Sequence, residues 1–154
     1  MINLDVGVEQ FALIFKRFDE GMNEYSITHG GVTGDFEITY KCNGIESNFE
    51  CDMTIGNLHC FYIELGNAYD IQFGKDTVAS LQDYSGKRTK LVFKFDRKGH
   101  LFVDGFFKNK SNSYKSSISF EKIELDQTYI PEILGTIGNF LNEIERIQGH
   151  HNFY

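Results

Sequence analysis

Residues 114 to 147, YKSSISFEKIELDQTYIPEILGTIGNFLNEIERI, join a strand to a helix that cannot stand alone. The strand-like run closes on Ile123 and Leu125, and Asp126 ends it. Ile133, Ile137, Phe140, Leu141 and Ile144 then recur at the three- and four-residue spacing of one helical face. Thr128 is placed to cap this helix, because its hydroxyl accepts an N–H that the first turn leaves unpaired. Pro131 falls in that turn, where its missing N–H is not needed, and Glu132 sets a negative charge near the positive end of the helix dipole. Gly149 follows as the stop. Asn139, Asn142, Glu143 and Arg146 take the remaining faces. A helix over 128–147 with one apolar stripe has to bury that stripe, and a sheet is what the preceding chain offers.

The preceding chain is rich in strand signals. EQFALIFKRF alternates Phe11, Leu13 and Phe15 on one face; EYSITHG is a second strand and GGVTGD a glycine-rich turn. Asn43-Gly44 is the preferred pair for a two-residue hairpin turn in which both positions need positive φ. With Cys42 facing Ile45, counting outward sets Ile38 opposite Phe49 and Phe36 opposite Cys51 on one apolar face. Residues 54 to 66 change period: Leu58, Phe61, Tyr62 and Leu65 share a helical face, with Thr54 as cap and Gly66 as stop. TVASLQDY and RTKLVFKF return to strand, and the turn Asp96 to His100 brings Leu91, Phe93 and Phe95 beside Leu101 and Val103. GFFKNKSNSYK holds the most polar loop. The expected architecture is α+β: a curved, mostly antiparallel sheet with an inserted short helix and a C-terminal helix packed on it. Residues 1–154 form a single domain, with a frayed tail over 148–154.

Several functional classes find no support. No apolar stretch approaches the roughly 18 residues that span a bilayer, so no membrane partner is expected. MINLDVGVEQ lacks the basic start and apolar run of a secretion signal. Cys42, Cys51 and Cys60 are odd in number and nine apart, too wide for zinc ligands, and read as reduced thiols of a cytoplasmic protein. No glycine-rich phosphate loop, HExxH or nucleophile elbow occurs. The chain therefore reads as a binding protein, not an enzyme, with no metal or cofactor.

Charge is unevenly divided. Residues 1 to 77 hold 13 acidic and 4 basic residues, while residues 78 to 154 hold 9 and 11. The hairpin register concentrates part of the acidic excess, setting Glu37 opposite Glu50 and Asp35 opposite Asp52 on its second face. Like charges directly across a strand pair are unfavourable. Three readings meet here: a solvated outer face, a surface for a basic partner, or oxygen ligands for a hard cation serving a small cation-dependent enzyme. The run 87–122 holds ten Lys/Arg against three Asp/Glu, interleaved with phenylalanines. Such a run suits single-strand binding, but the register turns Phe93 and Phe95 toward the core, which favours a structural face and no nucleic-acid partner.

The order of GDFEITY, LHCFYIEL, KLVFKFDRKGHLFVDGFF and LDQTYIPEILGTI resembles the WapI-type immunity proteins of bacteria, or a related family of the same plan, with Phe and Tyr where tryptophans are usual. The resemblance spans roughly residues 11 to 147. It implies a small cytoplasmic protein that binds and neutralises a cognate polymorphic toxin, and it transfers no catalytic residue. Combined with the acidic hairpin, it makes Asp35, Glu37, Glu50 and Asp52 the expected contact surface for a basic toxin domain.

Overall fold

The computed structural model describes residues 2–6, 9–18, 33–42, 44–71, 74–109 and 117–151. Eight strands and two helices follow in the order β1 (Ile2–Val6), β2 (Glu9–Phe18), β3 (Thr33–Cys42), β4 (Ile45–Thr54), α1 (Ile55–Asp70), β5 (Thr77–Gln82), β6 (Thr89–Phe95), β7 (Leu101–Lys108), β8 (Ser117–Leu125) and α2 (Tyr129–His151). The fold is α+β with antiparallel pairing and a C-terminal helix. The expected single curved sheet is divided into two four-stranded sheets, β1-β2-β3-β4 and β5-β6-β7-β8. The division has a physical cause. α1 follows β4 and occupies the edge of β5: the Thr77 hydroxyl donates to the Ala68 carbonyl at 3.2 Å, and the Ser80 N–H donates to the Glu64 carboxylate at 3.1 Å. A covered edge cannot extend the first sheet. The strand expected over residues 24–30 and the polar loop beyond Asn109 lie outside the described residues, as does the first half of the glycine-rich turn. Its second half, Thr33 to Asp35, is not turn but the start of β3, paired with Asp52 to Thr54 of β4. β1 was not anticipated; Ile2, Leu4 and Val6 alternate, but over five residues only.

In the first sheet the β3–β4 register is the one the Asn-Gly turn implies, with Cys42 facing Ile45, Ile38 facing Phe49 and Phe36 facing Cys51. Gly44 holds φ +80°, the left-handed value this turn requires. β4 runs directly into α1. Thr54 accepts the Asn57 N–H on its hydroxyl at 3.0 Å, and Asn57 returns its side-chain oxygen to the Thr54 N–H at 3.2 Å. Gly66 does not stop this helix. It continues to Asp70 because Ala68 extends the buried row of Leu58, Phe61 and Leu65 by one position.

One cluster of buried side chains draws on both sheets and both helices. Phe11, Tyr40 and Phe49 of the first sheet meet Phe107 and Phe120 of the second, with ring centroids 4.9 to 6.4 Å apart. Tilted and offset rings at this spacing add to the area they bury. On the α1 side Phe61 packs on Phe93 at 5.3 Å. α2 buries Ile130, Ile133, Ile137, Leu141 and Ile144, while Phe140 is half-buried at the margin of that stripe and meets Phe36 edge-on. The turn into α2 is held by Asp126, whose carboxylate accepts the Thr128 N–H at 2.9 Å, and the helix runs past Gly149 to His151. Hydrogen bonds from Thr128 hold the Asp126 carboxyl below its ordinary pKa.

In the second sheet Phe93 faces Val103 and Phe95 faces Leu101, as the turn at Gly99 (φ +84°) requires. Gly105 is sterically obligatory: a methyl group there would lie 2.6 Å from both the Lys90 carbonyl and the Phe120 ring. Beside it the β7–β8 ladder shifts register between Val103 and Gly105, and Lys122 adopts φ +55°. Asp104 stabilises the irregularity by accepting the Lys122 N–H at 2.7 Å and the Lys94 ammonium. These two hydrogen bonds hold its carboxyl below the usual range.

Candidate interaction faces

The outer face of the first sheet carries the four carboxylates proposed from sequence. Register sets Glu37 directly opposite Glu50 and Asp35 directly opposite Asp52. Glu50 is exposed and the other three are half-buried, while the residues between them, Phe36 and Cys51, are 2% exposed on the core side. Alternation alone therefore produces the row. The same two strands show complementary pairing nearer the turn. Lys41 bridges Glu46 at 3.2 Å, and the Thr39 hydroxyl bonds the Asn48 side chain at 2.9 Å. Complementary pairs thus give way to like-charged pairs along one ladder. β2 sets Arg17 opposite Asp35 and Ile14 opposite Glu37. The carboxylates lie in two rows, with neighbours about 7 Å apart along each strand and about 5 Å across. Among the described residues, no three His, Cys, Asp or Glu side chains form a group that could hold a metal ion.

A feature that sequence reasoning missed borders this face. The Tyr84 N–H donates to the Asp52 carbonyl at 2.9 Å, stitching the β5–β6 turn to β4. Tyr84 is 77% exposed, the most exposed large hydrophobic residue among those described. Its turn is organised by Asp83, which is 3% exposed. The Asp83 carboxylate accepts the Ser85 hydroxyl at 2.6 Å and the N–H groups of Arg88 and Thr89 at 3.2 and 3.1 Å. Burial pushes the Asp83 carboxyl up, but the bonds from Ser85, Thr89 and Arg88 outweigh it and hold the group below its ordinary value. No periodic signal marks Tyr84, because its neighbour Asp52 is brought to it by the tertiary fold.

The basic run divides by strand parity. Phe93, Phe95 and Phe107 are buried. Phe102 and Phe106 are half-buried on the outer face of the second sheet, beside Lys90, Lys94 and Lys108. The alternation that turns Leu101 and Val103 inward was sufficient to find Phe102. Cys51 is buried on the core side of the hairpin, Cys42 is half-buried and Cys60 is exposed, and none of the three is in a disulfide. His59 is half-buried on α1; the side chains of His150 and His151 lie outside the described residues. No helix among the described residues is long and apolar enough to cross a membrane. Comparison with protein-family models, with curated proteins and with solved structures finds no match.

Proposed function

We propose that the protein acts by binding: as an immunity-type inhibitor that meets a basic toxin domain with the outer face of its first sheet. The observation that carries this reading is the ladder of Glu37 with Glu50 and Asp35 with Asp52, next to complementary pairs on the same strands. Two rows of carboxylates on one sheet face present several negative charges to a cationic partner at once, and such complementarity speeds association and sets specificity. The flat, two-row spread of the carboxylates suits a protein surface better than it suits the enclosed oxygen cage of a hard cation. Tyr84 borders the acidic rows with an exposed aromatic ring, the side-chain type that most often anchors interfaces. The toxin class itself comes from the resemblance to the immunity family.

Co-expression tests the reading. The variable C-terminal domain of a secreted protein encoded beside this chain should arrest growth when expressed alone. With this chain present growth should recover, and the two should purify as a complex of equal stoichiometry. Growth arrest that this chain does not relieve, or the absence of any such neighbour, contradicts it.

A further inference from the structure

We propose that the outer face of the second sheet binds single-stranded nucleic acid, independently of the acidic face. Three rings follow one another along the start and length of β7: His100, Phe102 and Phe106. The His100 and Phe102 centroids are 6.4 Å apart, and Phe106 lies four residues further, about 14 Å along the strand. Each phenylalanine has a lysine directly across the ladder, Lys94 opposite Phe102 and Lys90 opposite Phe106. Lys108 sets its ammonium 5.1 Å above the Phe106 ring. The His100 ring is held by the Asp96 carboxylate at 2.8 Å, whereas Phe102 and Phe106 are half-open to solvent beside lysines and supply the two things a single strand needs, a π-face for bases and charge for phosphates.

The charge on this face is available. Lys94 is committed to Asp104, whose carboxylate also takes the Lys122 N–H, so the acid at the centre of the face is already neutralised. Lys90 and Lys108 on this face, and Lys98 in the turn that leads into β7, make no ion pair among the described residues. Glu124, opposite Phe102, marks the limit of the basic strip on β8. The expectation of no nucleic-acid partner rested on Phe93 and Phe95, which do face the core; Phe102 and Phe106 do not. The acidic face of a second copy would complement the lysines but leave the rings without a role, so a nucleic acid fits the face better.

Fluorescence anisotropy of a labelled twelve-nucleotide oligothymidine titrated with the full chain tests the proposal. With three free lysines the logarithm of affinity should fall with the logarithm of salt at a slope of about −2. Phe102→Ala with Phe106→Ala should weaken binding about tenfold or more at an unchanged slope. Lys90→Ala with Lys108→Ala should flatten the slope. Circular dichroism melts of each variant separate lost contacts from lost folding, and the lysine pair, being on the surface, keeps the test open if the phenylalanine pair unfolds. The proposal is overturned by no binding at 50 mM salt, or by binding that Lys90→Ala with Lys108→Ala leaves intact. Salt-sensitive self-association in sedimentation, abolished by Lys90→Ala, with no oligonucleotide bound, would give the face to a second copy and overturn it as well.

Discussion

Asp83 shows how one side chain can hold two parts of a molecule in place. Its carboxylate gathers the Ser85 hydroxyl and two backbone N–H groups, and the turn so formed carries the Tyr84 bond to Asp52. Because the folded carboxyl sits below its ordinary value of 3.8, the stability it confers is fully present above that pH. That contribution is lost as the pH falls through the lower folded value. Asp83→Asn puts an amide donor among donors and should cost about 2–3 kcal/mol at neutral pH. Urea melts at pH 7 and pH 3 should show the difference from the parent shrinking in acid. Thr89 is the converse case. Its hydroxyl is buried with no partner among the described residues, while its N–H serves Asp83. Thr89→Val keeps the shape and the backbone bond and removes the orphaned group, so it should raise stability by about 1 kcal/mol in the same melts.

At the level of elements, the two helices and the glycine of β7 make the clearest demands. Ile137 is 1% exposed in the stripe that α2 buries, so Ile137→Ala should cost about 2–5 kcal/mol in denaturant melts. Asn142→Ala on the exposed side should be near neutral. Phe140, which its spacing places in the stripe, is only half-buried, so truncating it should cost less than truncating Ile137. Gly105→Ala forces a methyl against a backbone carbonyl and should cost about 1–3 kcal/mol or more. What the sequence made legible were features with a local cause. Asn43-Gly44 set the β3–β4 register because one turn type and a period of two leave no alternative. Thr54 capped α1 for the same local reason. The division into two sheets was not legible, because it depends on α1 lying along the β5 edge, a choice that no local period encodes. Gly66 and Gly149 misled as stops, since buried neighbours outweigh the cost of glycine within a helix.

For the molecule as a whole, the outer faces of the two sheets carry opposite charge around one shared core, and the acidic excess of the first 77 residues comes to a focus at Asp35, Glu37, Glu50 and Asp52. The central claim is that this focus recognises a basic protein. Stopped-flow association of the chain with its neighbouring toxin domain, over a series of salt concentrations, tests it most directly. Glu37→Gln with Glu50→Gln preserves shape and removes two charges, so the fold should persist, as circular dichroism of the variant checks. The double variant should associate several-fold more slowly at low salt and lose much of the salt dependence of the parent, with dissociation little altered. An association rate equal to that of the parent at every salt concentration would contradict the account.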